Sequence, residues 1–175
     1  MSFARPRRLA VSLLTVAALA AGTASSPAWS ASARSENADQ GVTIRRDTYG
    51  IPHVYANTTR GIFRGFGYAV AQDRLFQMEM SRRTTQGTVS EVMGAAYLAL
   101  DKDTRNGFDP ASIQAQIAAL PQEDRDILEG YAEGMNRWLD AVAASPSTLM
   151  PKQFLDYGFS PSRWTAYDVA MVWVG

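Results

Sequence analysis

GIFRGFGYAVAQDRLFQMEMSRRTTQGTVSEVMG, residues 61–94, is the stretch whose reading decides the fold. Ile62, Phe63, Phe66, Ala69, Val70, Phe76 and Met80 recur near helical spacing. That spacing predicts one long helix from about Arg60 to Arg83, with an apolar side against a core. Thr58 or Thr59 fits its N-cap, and Gln86-Gly87 marks its end. Gly65 and Gly67 each cost about 1 kcal/mol against Ala inside a helix. Two glycines within an apolar stripe therefore predict the close approach of another backbone. Asp73, Arg74, Glu79, Arg82 and Arg83 add a density of charge that a packed helix carries only when the charges pair.

Working upstream, Val42-Thr43-Ile44 alternates like the start of a strand, and Tyr49-Gly50-Ile51-Pro52 reads as a turn. Val54 and Tyr55 begin a second short strand, while Arg34–Gln40 is polar and reads as frayed. Downstream, Val89–Met93 adds a helical turn before Gly94. Asn106–Pro110 reads as a loop, with Asp109 as N-cap and Pro110 at the first helical position. Ile113, Ile117 and Leu120 share one side of the short helix that follows. Pro121 opens another helix, where Glu123 and Asp124 complement the N-terminal dipole. Ile127, Leu128, Tyr131, Met135, Trp138, Leu139 and Val142 give this helix the clearest amphipathic pattern in the chain, and Ser145-Pro146 ends it. Thr165 and Asp168 form a capping box ahead of AMVWVG, an apolar helix in which the sequence stops at Gly175. A hydrophobic segment ending in mid-turn reads as truncation, or as one piece of a larger protein. The sequence holds no internal repeat, low-complexity tract or interdomain linker.

The first 33 residues read as a secretory leader. Arg5, Arg7 and Arg8 form the charged start, Leu9–Gly22 the apolar core, and Ala31-Ser32-Ala33 the cleavage site. The Arg7-Arg8 pair admits twin-arginine export, but Ala10 and Val11 stand where bulkier residues belong, which favours general secretion. The mature chain would start near Arg34 and lie in the periplasm or outside the cell, with no membrane attachment. The leader holds three of the 17 basic residues and none of the 17 acidic ones, leaving the rest at a formal −3. No clustered basic face marks a nucleic-acid partner. The absence of cysteine excludes thiol nucleophiles, thiolate metal sites and disulfides, so a conventional core or a partner must hold the chain.

Few residues fit a catalytic pattern. His53 is the single histidine, so a Ser-His-Asp triad would have to use it, and a structural hydrogen bond is the simpler role. One histidine also argues against zinc. Asp101, Asp103 and Asp109 lie in a loop-like region where spaced oxygens fit calcium. The central Gly and terminal Glu of an EF-hand are missing, however, and Lys102 and Arg105 intervene, so capping and solvation account for them. Asp73 and Glu79 could be set up as an acid/base pair, but Arg74, Arg82 and Arg83 favour ion pairing instead. Asp124 and Glu129 read as dipole and surface residues, and Tyr131, Trp138 and Trp164 as core before substrate platforms. There is no G-x-S-x-G elbow and no phosphate loop. On these residues alone, the chain is an exported, mostly helical piece.

GYAVAQDRLFQMEMSRRTTQGTVSEVMG, with RRDTYGIPHVYAN before it and YAEGMNRWLDAV after it, resembles the α-subunit region of penicillin G acylases, members of the N-terminal-nucleophile hydrolases. The resemblance runs from about Val42 to Gly175. It implies a four-layer αββα fold for the complete protein, to which this mainly α portion contributes helices and short N-terminal strands. It also implies a precursor that cuts itself into α and β chains. The serine at the start of the β chain would attack the side-chain amide of penicillin G and related phenylacetyl compounds. The free α-amine of that serine, titrating near 8, would be its base. By the same resemblance calcium belongs to the complete enzyme, through ligands outside this chain. The nucleophile and the Met and Arg-Phe residues of the acyl pocket also fall beyond Gly175, so no catalytic, cofactor-binding or metal residue is expected among these 175. Asp73, Arg74, Arg82 and Arg83 match the family motif and read as structural. Two alternatives stay open: an acylase of the same superfamily acting on acyl-homoserine lactones or other acyl groups, and a non-catalytic exported helical binding module.

Overall fold

A computed structural model describes residues 36–37 and 41–174 of the chain. The leader assigned to residues 1–33 lies outside the described residues. Three short strands come first: β1 (Glu36–Asn37), β2 (Val42–Arg46) and β3 (Pro52–Ala56) form an antiparallel sheet in the order β1-β2-β3. Glu36 and Asn37, read from sequence as part of a frayed segment, instead pair with Ile44 and Thr43. Between β2 and β3, Gly50 takes φ 80°, and Asp47 Oδ1 accepts from the Tyr49 and Ile51 N–H groups at 2.9 Å each. An Asx-type turn of this kind lets the two strands fold back on each other.

Helix α1 (Thr59–Gln86) carries the fold. The Thr58 side chain accepts from Gly61 N–H, which settles the choice between the two threonines. At the other end Gly87 adopts φ 63°, and the Thr88 and Gly87 N–H groups reach back to the Arg83 and Thr84 carbonyls in a Schellman turn. The helix is interrupted at Arg74 (φ −149°, ψ 40°), with no proline or glycine at the break.

Then follow α2 (Ser90–Met93), a 3₁₀ turn at Ala95–Tyr97, α3 (Leu98–Asn106), α4 (Pro110–Ala119) and α5 (Gln122–Ala144). The short helices α6 (Pro146–Leu149) and α7 (Lys152–Asp156) lead to α8 (Ala166–Val174). Helix α3 was not foreseen, so Asp101 and Asp103 are helical rather than loop residues. Asp109 does cap α4, accepting from Ala111 N–H at 3.0 Å. The capping box of α8 is present, with Thr165 N–H donating to Asp168 at 2.7 Å.

The α1 stripe faces differently from its sequence reading. The buried positions are Gly61, Gly65, Gly67, Ala69, Ala71, Leu75, Glu79 and Arg82, while Ile62 and Phe66 remain exposed. The cause is the crossing with α5. A Cβ on Gly67 would strike the Tyr131 carbonyl, and one on Gly134 would strike the Arg64 carbonyl and the Tyr68 N–H. Backbones that close admit only small residues between them, so the large side chains are pushed to the flanks. The expected backbone approach thus occurs at Gly67. Gly65 instead receives the Val42 and Val54 side chains of the sheet.

Beyond the glycine contact the core widens. Leu75, Met135, Trp138, Leu139, Val142, Phe154, Trp164 and Val169 are buried together. Edge-on ring pairs Tyr68–Trp138 at 5.6 Å and Phe76–Phe154 at 5.2 Å join its parts.

Candidate functional site

The charged middle and end of α1 are where a functional site would have to form, and most of these charges hold elements together. Arg46 on β2 donates to both carboxylate oxygens of Asp73, at 3.2 and 2.7 Å, and to Gln72 Oε1 at 2.6 Å. The same guanidinium reaches the Gly50 carbonyl at 2.9 Å, so it ties turn, sheet and helix.

Six residues on, Glu79 is fully buried and pairs with both Arg82 and Arg83. Arg82 also donates to the Arg163 carbonyl at 3.0 Å and Ser162 Oγ at 2.6 Å, and lies 5.0 Å from the centre of the Trp164 ring. Its other side faces Asp168, 3.7 Å away, which accepts from Gln86 Nε2 at 2.8 Å. Both Glu79 oxygens are occupied by guanidinium donors. Asp73 and Glu79 therefore belong to two separate ion-paired networks and do not form an acid/base couple.

Of the three aspartates weighed for calcium, Asp101 and Asp109 are spent on backbone N–H groups. Asp101, 4% exposed, accepts from the Val89 and Ser90 N–H groups at 2.9 and 2.7 Å. Burial pushes its carboxyl up, but hydrogen bonds from the Ser90 side chain and these two N–H groups outweigh that and leave it below the ordinary value. Four residues on, Arg105 Nε donates to the Gly87 carbonyl at 2.7 Å, so one face of α3 clamps the end of α1. Among the described residues no group of three or more His, Cys, Asp or Glu side chains is placed to hold a metal ion. His53 Nε2 lies 3.2 Å from Asp47 Oδ2 on the exposed face of the hairpin. Hydrogen bonds from Ile51 N–H and His53 hold the Asp47 carboxyl below its usual value.

Glu129, read as a surface residue, joins an interhelical cluster. Arg60 at the start of α1 meets Glu133, Glu129 at 2.6 Å and Asp126 at 3.3 Å on α5. The 126, 129, 133 spacing could have shown an acidic face in the sequence, but not what faces it. Asp124 lies in the first turn of α5, as expected. Tyr131, Trp138 and Trp164 are buried as foreseen.

An open groove of about 390 Å³ runs between Thr84, Thr85, Thr104, Phe108, Ile113 and Met171, and no titratable side chain lines it. The described residues thus carry a scaffold of paired charges around a glycine crossing.

The profile of the Penicillin amidase family matches residues 41–175, more than three-quarters of the sequence. The chain belongs to that family. Among penicillin amidase relatives, the penicillin G acylase of Escherichia coli is 56% identical over 147 residues, 84% of this chain and 17% of the relative. An acyl-homoserine lactone acylase of Pseudomonas fluorescens (strain Pf0-1) is 36% identical over 118 residues, 63% of this chain and 15% of the relative. The fold is shared with a thermostable penicillin G acylase from Alcaligenes faecalis, with a TM-score of 0.75 at 50% identity over 78% of this chain and 72% of that one. The chain thus spans about one-sixth of the length of its curated relatives.

Proposed function

We propose that this chain is the N-terminal part of the α subunit of a penicillin G acylase-type amidohydrolase. The observation that carries the reading is the 56% identity to the E. coli penicillin G acylase along 84% of the chain. The complete enzyme cleaves the side-chain amide of penicillin G and related phenylacetyl amides. A serine at the start of a β chain, cut from the same precursor, supplies the nucleophile. Its hydroxyl adds to the amide carbonyl while its own amine takes the proton. Collapse of the tetrahedral adduct then expels the amine product and leaves an acyl-serine ester, which water hydrolyses to the carboxylic acid. The residues described here act by framing, since Glu79, Arg82 and Arg83 are committed to one another.

In this reading the complete protein has the four-layer αββα arrangement, works as an α/β heterodimer, and lies in the periplasm or outside the cell. The leader-like first 33 residues support that location, and no described helix is long and apolar enough to cross a membrane. Calcium would be held by residues outside this chain. Asp101 and Asp109 do not fit the role, because they cap α2 and α4, and among the described residues Asp103 has no second and third ligand grouped with it.

The test is expression of the complete open reading frame and measurement of kcat/KM for a phenylacetyl anilide against an acyl-homoserine lactone. Preference for the phenylacetyl amide supports the reading. Preference for the lactone supports the rival favoured by the P. fluorescens relative. No turnover of either by a correctly processed protein would leave the exported binding module.

A further inference from the structure

The sequence holds four asparagines, and Asn106 alone is followed by glycine. Asn106 ends α3, and both it and Gly107 are exposed. Among the described residues no hydrogen bond holds the Asn106 side-chain amide. Asn136 makes the contrast. Its amide donates to the Trp164 carbonyl and accepts from the Trp164 N–H, at 2.8 Å each, and Arg137 follows it. Asn57 is exposed too, but there the β-branched Thr58 comes next and crowds the following backbone nitrogen.

Little holds the backbone at Asn106 either. The clamp of Arg105 on the Gly87 carbonyl stops one residue short of it. Gly107 is the C-cap, and its N–H makes the closing bond of the helix, 3.0 Å to the Thr104 carbonyl. A Cβ built on Gly107 would meet only the Thr104 and Asp103 carbonyls of the same helix, so no other element braces that side. Last turns fray, and opening this one bond frees the Gly107 nitrogen. Because Gly107 has no Cβ, the chain can then turn that nitrogen toward the Asn106 side chain at small steric cost.

We propose that Asn106-Gly107 is a site of spontaneous deamidation, at which the exposed end of α3 acquires a carboxylate as the protein ages. The Gly107 nitrogen bonds to the Asn106 side-chain carbonyl carbon. The bond from that carbon to the amide nitrogen breaks, and the Gly107 proton leaves with it as ammonia. Water then opens the cyclic imide at either carbonyl, giving aspartate or isoaspartate, with nothing oxidised or reduced. Both products place a negative charge at the carbonyl end of a helix, where the dipole opposes it. The isoaspartate also adds a methylene to the main chain just before Gly107. That shift displaces Phe108, which lines the groove with Thr84 and Met171, and Asp109, which caps α4. The joint between α3 and α4 should therefore loosen with age. Asn106 has no part in the proposed amide hydrolysis, so the inference stands apart from that reading.

The test holds the complete protein folded in mildly alkaline buffer and samples it over weeks by peptide mass mapping. The expected result is a gain of one mass unit at Asn106, in aspartate and isoaspartate forms, several-fold faster than at Asn57 or Asn136. An Asn106 that stays intact, or reacts no faster than Asn57, overturns the proposal. Gly107→Ala should slow the reaction several-fold, and an unchanged rate would also overturn it, since the glycine would then be irrelevant. The thermal midpoint of the aged parent should fall. Asn106→Gln, whose longer side chain closes the ring far less readily, should keep its midpoint through the same incubation. Equal falls in the two would sever this site from the loosening. Turnover of a phenylacetyl anilide bears on none of these outcomes.

Discussion

Arg46 and Asp73, 27 residues apart, form a two-pronged ion pair that fastens the N-terminal hairpin to the middle of α1. Both side chains keep partial contact with solvent, 25% and 35%, so the pair contributes on the order of 1 kcal/mol. Arg46→Ala in the complete protein should lower the unfolding free energy by that amount. Arg46→Lys should recover little of it, because an ammonium cannot span both oxygens, Gln72 and the Gly50 carbonyl together. Denaturant titration of the two variants checks this. Full recovery by lysine would show that charge alone matters.

Glu79→Gln removes the anion shared by Arg82 and Arg83 in a site with no solvent access. Breaking a buried pair in this way costs about 3–5 kcal/mol. The expected outcome is loss of soluble protein or a large fall in the thermal midpoint. Reduced turnover with an unaltered midpoint would instead assign Glu79 a chemical role and contradict the structure.

Gly134→Ala tests the helix crossing. The added methyl meets the backbone of α1 at Arg64 and Tyr68, and backbone cannot give way as a side chain tip can. Overpacking of this kind costs about 1–3 kcal/mol or more. Gly107→Ala is the milder comparison, since φ is not positive there and the added Cβ lies 3.3 Å from the Thr104 carbonyl, against 2.0 Å from the Arg64 carbonyl at Gly134. A chevron or equilibrium melt should show a large loss for Gly134→Ala and little for Gly107→Ala. Equal losses would mean that the crossing is looser than described.

Asp101 gives the pH dependence. Its carboxyl sits below the ordinary value in the folded state, so the folded protein binds its proton less readily than the unfolded one. The stabilisation is therefore complete above the unfolded value of about 4 and disappears as pH falls through the lower folded value. Asp101→Asn should cost about 1 kcal/mol at neutral pH, as the loss of a helix cap does. The gap between variant and parent should close in strong acid. Unfolding free energies of the pair across an acid series check it, and a gap that widens on acidification would reverse the sign argued here.

Residues 34–175 expressed alone should be insoluble or lack a cooperative melt, and should not hydrolyse a phenylacetyl anilide. Phe66 and Trp173, both packed on the Tyr131 ring, are exposed at 45 and 44%, an apolar patch of the kind that a solitary domain leaves sticky. A soluble monomer with a sharp melt would favour the exported binding module.

What the sequence showed and what it hid follow from distance along the chain. The α5 stripe, the Thr165–Asp168 box and the Asp109-Pro110 start of α4 depend on neighbours within a turn or two, and all three are present. The buried side of α1 was read only in part, because apolar size normally marks the core: Ala69 is buried and Phe63, Val70 and Phe76 pack on the core, but Ile62 and Phe66 do not. Here the inward side is chosen by contact with Tyr131 and Arg64, and small residues win that contact. Asp101 looked like a loop residue because its work is to hold N–H groups 11 and 12 positions earlier, which requires α3 to fold back first. Arg74 could not be told from Arg82 and Arg83 in the sequence. Only the placement of Glu79 separates them.

The glycine crossing also has a consequence in time. Gly67 is seated against Tyr131 and Gly134 against Arg64, contacts whose partners are some 60 to 70 residues apart. Closing a loop of that length takes entropy that local helix formation cannot supply, so this pairing is among the slower events of folding. During synthesis the first half of α1 must wait for α5 to follow, and its glycines make it a poor helix in the meantime. The segment stays pliable until then, and locking comes only when the second helix arrives.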